Sequence, residues 1–112
     1  MIWEVRETKL GVAILPRQPL QCPICGGFLL LHDFRCYDER AHGFRHIDIH
    51  MKCPECGFFA TFGLPISKED WERLRKSPLH GRVLKEEAVE LAEELGLKVG
   101  EGAEHLRSWG YW

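Results

Sequence analysis

Two short motifs of one design constrain this chain more than anything else in it: Cys22-Pro23-Ile24-Cys25-Gly26 and Cys53-Pro54-Glu55-Cys56-Gly57. Two residues between paired cysteines let a tight turn aim both sulfurs the same way. Proline after the first cysteine sets the entry to the turn. Glycine after the second can take a left-handed conformation, so that backbone N–H groups approach the sulfurs. Two such pairs a few tens of residues apart are the pattern of a four-thiolate metal site, and zinc is the first expectation for the metal. Four thiolates complete a tetrahedral shell and leave no position for water or substrate, so the expected role is structural rather than catalytic. Two disulfides or four free thiols are the alternatives. A C-x-x-C disulfide is at home around a single motif in a βαβ setting, whereas here the motif is duplicated with proline and glycine in the same places.

The rest of the chain sets the scale of the fold around that site. With 112 residues it suits one compact domain, for which a metal staple supplements a modest core. Hydrophobic residues make up 45% and charged residues 29%, which excludes a disordered chain. The formal net charge is −2, and a divalent ion on four thiolates adds a further dianion. That balance weighs against an obligate nucleic-acid binder, which ordinarily carries a basic excess. No apolar run is long enough for a bilayer, and charges at Glu4 and Arg6 interrupt the stretch where a signal peptide would be apolar. The expectation is a cytoplasmic protein without membrane contact, in a compartment that keeps thiols reduced. The absence of asparagine, with only Gln18 and Gln21 as glutamines, hints at a thermophilic source.

Periodicity predicts an α+β organisation in three stretches. Residues 1–21 form an N-terminal β segment, with two short strands within 2–15 read as a hairpin and ended by Pro16-Arg17-Gln18-Pro19. Residues 22–66 hold both cysteine pairs. Between the pairs, residues 28–37 are strand-like, with Leu29, Leu31, Asp33 and Arg35 opposite Leu30, His32, Phe34 and Cys36. Residues 38–43 are a polar turn, and 44–52 alternate cleanly, Ile47, Ile49 and Met51 against His46, Asp48, His50 and Lys52. Residues 58–64 supply a third strand before Pro65. Residues 67–112 form a helical extension and an aromatic tail. A helix capped by Ser67 runs to about Lys76 with Trp71 and Leu74 on one face, and Ser77-Pro78 stops it. A second helix over 80–95 carries Leu84, Ala88, Leu91 and Leu95 as its core stripe, with Gly96 as C-terminal cap and Leu97 behind it. Residues 103–108 suit a further turn of helix. Trp109, Tyr111 and Trp112 either fold back onto the core or anchor a partner.

Cysteine pair, strand, turn, strand, cysteine pair, strand is the plan of a zinc ribbon, and residues 22–64 resemble that superfamily. The resemblance rests on the two CPxCG knuckles and the hairpin between them. It implies a structural zinc ion on a three-stranded antiparallel sheet and leaves the partner open, since ribbons serve in transcription factors, polymerase subunits and ribosomal proteins alike. The adjacent acidic pair that transcript-cleavage factors carry at the hairpin tip has its nearest counterpart in Asp38-Glu39, more simply a solvated turn.

Three other features compete for a role. His42, His46 and His50 recur every fourth residue. On a strand His46 and His50 share a face about Asp48, which with His32 would make a second metal site, or with Arg45 and Lys52 a contact for phosphate or RNA. The plainer reading is an ordinary polar strand face, and the stretch 33–52 is balanced in charge. Cys36, the odd cysteine, falls on the same side of its strand as Phe34 and is expected to be a buried, inert thiol.

The expectation is therefore a non-enzymatic binding or assembly module. It holds zinc on Cys22, Cys25, Cys53 and Cys56 and contacts a protein partner, a second copy of itself or, less well supported, nucleic acid. A rubredoxin-like electron carrier with iron on the same thiolates is the first rival, and a nucleic-acid-binding factor of transcription or translation the second.

Overall fold

Alternation and turn chemistry account for most of the elements. In the computed structural model, which describes residues 2–39 and 44–97, five strands and two helices follow in the order β1 (Trp3–Thr8), β2 (Gly11–Pro16), β3 (Leu30–Glu39), β4 (Phe44–Lys52), β5 (Phe59–Pro65), α1 (Lys68–Arg75) and α2 (Lys85–Glu94). Strands β1 and β2 make the expected antiparallel hairpin, from Trp3 opposite Pro16 to Thr8 opposite Gly11. Its turn is tied by Thr8, whose hydroxyl donates to the Gly11 carbonyl (2.6 Å) and accepts from the Leu10 N–H (3.1 Å). Pro16 closes the last pair of the ladder instead of breaking the strand before it.

The second sheet has the order β3-β4-β5, all antiparallel, as expected of the central stretch. One of its details overturns the expected faces of β3. The ladder passes from Leu31–Met51 directly to Asp33–His50, so His32 is an extra, bulged residue. A bulge shifts alternation by one. Leu31 and Phe34 therefore share the core side, although they were expected on opposite faces, and Asp33 turns outward opposite His50. The strand also extends to Glu39, so Asp38-Glu39 belongs to β3 and not to a turn. The loop 40–43 with His42 lies outside the described residues, as does the stretch 98–112 with the expected helix at 103–108 and Trp109, Tyr111 and Trp112.

One face of this sheet meets the hairpin and both helices in a continuous buried cluster that includes Phe34, Ile47, Ile49, Leu74, Leu79 and Leu91. Helix α1 starts as read, with the Ser67 hydroxyl accepting from the Asp70 N–H (3.3 Å) and with Trp71 and Leu74 buried. Helix α2 is shorter than expected. It begins at Lys85, and Leu84 is its half-exposed N-cap rather than a core residue. Tertiary hydrogen bonding is the reason. The Gly81 N–H donates to the Phe34 carbonyl (2.8 Å) and the Cys36 N–H donates to His80 Nε2 (3.0 Å), so residues 80–81 serve the edge of β3 and are lost to the helix. Ala88, Val89, Leu91 and Ala92 form the buried face of α2. Its C-terminus closes as the sequence foretold. Gly96 has φ +84°, the Gly96 N–H donates to the Glu93 carbonyl (2.9 Å) and that of Leu97 to the Ala92 carbonyl (3.1 Å), and Leu97 is buried. No helix among the described residues is long and apolar enough to cross a membrane.

Candidate metal centre

Each cysteine pair sits in a turn of the same construction, one leading towards β3 and one joining β4 to β5. The Gly26 N–H donates to the Cys22 carbonyl and the Gly57 N–H to the Cys53 carbonyl, both at 3.0 Å. Gly26 and Gly57 have φ of +79° and +80°, the left-handed conformation that a side chain strains. Each turn is then bridged at its base. In the first, Gln21 pairs with Phe28; in the second, the Cys53 N–H donates to the Phe58 carbonyl (2.8 Å).

Strand pairing carries the two turns to the same end of the sheet, and their sulfurs meet. The donor atoms of Cys22, Cys25, Cys53 and Cys56 all lie within 4.8 Å of one another. The Cys22–Cys56 sulfurs are 3.6 Å apart and the Cys25–Cys53 sulfurs 3.4 Å. A tetrahedron with metal–sulfur bonds of about 2.3 Å has sulfurs about 3.8 Å apart. A disulfide requires about 2.05 Å. The four side chains thus fit a metal ion and are free thiols rather than paired ones. Cys22 and Cys53 face the core and are buried, while Cys25 and Cys56 are exposed.

The turns also supply donors to the sulfurs. The Ile24 N–H reaches Cys22 Sγ at 3.4 Å. Burial disfavours the Cys22 thiolate, but the backbone N–H groups of Cys25 and Ile24, together with the neighbouring sulfurs, outweigh it and bring that thiol down to about 7. At Cys53 burial wins over the N–H groups of Cys56 and Glu55 and pushes the thiol up to about 12. Cys56 is raised as well: the Phe58 N–H favours its thiolate, but burial and the sulfurs of Cys22 and Cys25 prevail. A metal ion takes the place of these protons.

The histidines behave differently. His46 and His50 do share a face of β4 with Asp48, as expected, but each is occupied locally. His50 hydrogen-bonds to Asp33 and stacks on Phe59 (centroids 5.3 Å, 28°). His46 stacks on Tyr37 (5.1 Å, 20°), with Nε2 3.8 Å from Asp48. His32 meets the edge of Phe59 at 5.4 Å, and burial lowers its pKa. Among the described residues, the four cysteines are the only group of three or more such side chains whose donor atoms converge. Cys36 lies at the other end of β3, half-buried, its Sγ 3.7 Å from the Trp71 carbonyl. Burial pushes its thiol up to about 11 against the pull of Arg75, so it is unsuited to nucleophilic work.

Two arrangements escaped the sequence. Glu55, from the second turn, lies so close to Gly27 of the first that a Cβ there would sit 2.9 Å from Glu55 Oε2. Trp71 carries two guanidinium groups, Arg45 at 5.5 Å and Arg75 at 5.0 Å from the ring centroid. Only a cross-turn or cross-element contact brings either together, and no spacing signals it. Compared with known proteins, the chain matches no family model, no curated protein and no solved structure.

Proposed function

We propose that this chain is a zinc-ribbon module of the cytoplasm, a binding or assembly protein without enzymatic activity of its own, whose Zn²⁺ on Cys22, Cys25, Cys53 and Cys56 is structural. The observation that carries the reading is the convergence of four sulfurs, from two turns of like construction, to within 4.8 Å. With all four thiolates engaged, the ion has no vacant position at which to activate water or polarise a substrate. Its contribution is a cross-link between the turn before β3 and the turn between β4 and β5, so that binding free energy becomes folding free energy.

Elemental analysis and a visible spectrum of protein purified without added metal test this. One zinc per chain and a colourless solution are expected. Protein that keeps its circular dichroism after a chelator has removed all metal would refute a structural role. One iron per chain with charge-transfer bands would redirect the reading to electron transfer on the same four sulfurs.

A further inference from the structure

The chain's slight acidity hides a segregation of charge. Residues 73–85 contain Arg73, Arg75, Lys76, Arg82 and Lys85 and no acid, and the acids follow on α2 as Glu86, Glu87, Glu90, Glu93 and Glu94. The fold lays this basic segment along the edge of β3. Gly81 bonds to Phe34 and His80 to Cys36, which sets Arg82 beside the Phe34 level of the strand. Three residues further along β3, the Tyr37 carbonyl accepts from Trp71 Nε1 (3.1 Å), and over that indole lie Arg75 and Arg45. At ~3.3 Å per residue the row is about 10 Å long, the rise of about three nucleotides of one strand.

These cations are held and under-used. Lying over a buried indole holds the Arg45 and Arg75 guanidinium groups in place, and a guanidinium held so offers its N–H groups to phosphate oxygens. Among the described residues Arg75 and Arg82 make no ion pair, and Arg45 Nε is buried without a hydrogen-bond partner. Arg35 joins the row to the outer face of the sheet. Its Nη2 is 3.5 Å from the Gly81 carbonyl, and its Nε is 3.8 Å from Asp33. On that face stand two aromatic side chains with 40% and 48% of their surface exposed, Tyr37 against His46 and Phe59 against His50.

From this juxtaposition we propose that the β3 edge and the adjoining outer face bind single-stranded nucleic acid, with phosphates on Arg75, Arg82 and Arg35 and bases on Tyr37 and Phe59. Arg75 and Arg82 without ion pairs, with Arg35 and exposed rings on the adjoining face, are the combination that single strands require. An acidic polypeptide would pair with the charges but would supply no bases to stack on the rings, and the aromatic variants and polyglutamate competition below separate the two. The inference rests on the reading of a metal-organised binding module and names what it binds. It places the phosphate contacts on β3 and the α1–α2 connection, and one base contact, Phe59, at the cysteine end of the sheet.

The test is fluorescence anisotropy of labelled twelve-nucleotide oligouridylate and oligothymidylate with metal-loaded, full-length protein between 25 and 200 mM KCl. Binding should weaken with salt at a log–log slope of about −2, from three phosphates at roughly 0.7 each. Arg75→Gln with Arg82→Gln should weaken binding at least tenfold and flatten the slope by about 1.4. Tyr37→Ala and Phe59→Ala should each weaken it about tenfold at unchanged slope. If circular dichroism shows that replacing Arg75 perturbs the fold, Arg82→Gln with Arg35→Gln makes the same test on exposed side chains. Neither oligomer binding at 25 mM KCl would overturn the proposal. So would charge variants that bind like the parent, or displacement by polyglutamate with the aromatic variants unaffected. Metal is assayed on the same samples, so metal-free protein that binds the oligomers would refute the metal reading and uphold this surface.

Discussion

The two ends of the β3-β4-β5 sheet differ in what surrounds them. At the end away from the cysteine turns, β2, α1 and the stretch after α1 enclose Phe34, Ile47, Leu74 and Leu79, all at 0% exposure. At the cysteine end two of the four ligand candidates are exposed, and Ile24, Phe28 and Phe59 have 70%, 46% and 48% of their surface in solvent. One end has the burial that ordinarily holds a small domain. The other has short turns, their internal hydrogen bonds and four converging thiols. Leu29, Leu30, Leu31 and Met51 are buried where the strands reach the turns, but the turns themselves bury little beyond Cys22 and Cys53, and their four converging thiols fit an ion whose binding would stabilise them.

Removing the ion should produce the largest effect. With structural zinc contributing on the order of 10 kcal/mol in small zinc-finger peptides, a chelator or Cys53→Ser should lower the urea midpoint by more than any core substitution. Amide exchange should show the Gly26 and Gly57 turns opening first. Equal loss of protection at Phe34 would mean that the two ends do not differ in this way. Next in size is Leu74→Ala, which empties a fully buried position and should cost about 2–5 kcal/mol in urea denaturation while metal stoichiometry stays unchanged. Gly57→Ala imposes a side chain on a left-handed residue at a cost of about 1–2 kcal/mol, and the loss should be read as weaker metal retention in a chelator competition.

The smallest effect concerns the thiols themselves. Cys36 is raised from 9.0 to about 11 in the fold, so its contribution to stability is complete below pH 9 and disappears as the pH climbs through 11. At pH 8 iodoacetamide should leave Cys36 of the folded, metal-loaded protein unmodified and should alkylate it in urea. In Cys36→Ala the alkaline decline of stability should be shallower. Rapid labelling of native Cys36, read by peptide mass mapping, would show that the core end is more open than its burial implies.

The cysteine turns were legible because everything that shapes them lies within five or six consecutive residues. Proline, the two-residue gap and glycine state the turn locally, and the turns form as the motif requires. The N-terminal hairpin, the clean alternation of β4, the Ser67 cap and the closure at Gly96 were legible for the same reason. The faces of β3 were not, because the ladder skips His32 only when Leu31 and Phe34 both find room in the core. Nor was the start of α2. Helical periodicity continues back through Leu84, but hydrogen bonds between residues 80–81 and β3 withdraw that stretch from the helix.

The sequence alone determined the four candidate ligands, the antiparallel α+β plan and the ends of the elements that carry their own caps. These depend on side chains within a turn or two of one another. Tertiary structure alone decided that four sulfurs from turns some thirty residues apart lie within 4.8 Å, that Asp33 meets His50, and that Arg45 and Arg75 share Trp71. Each of those needs a strand register or a helix docked on a sheet. Register is set by which side chains the core admits, a property of the packed molecule that no short stretch of it contains.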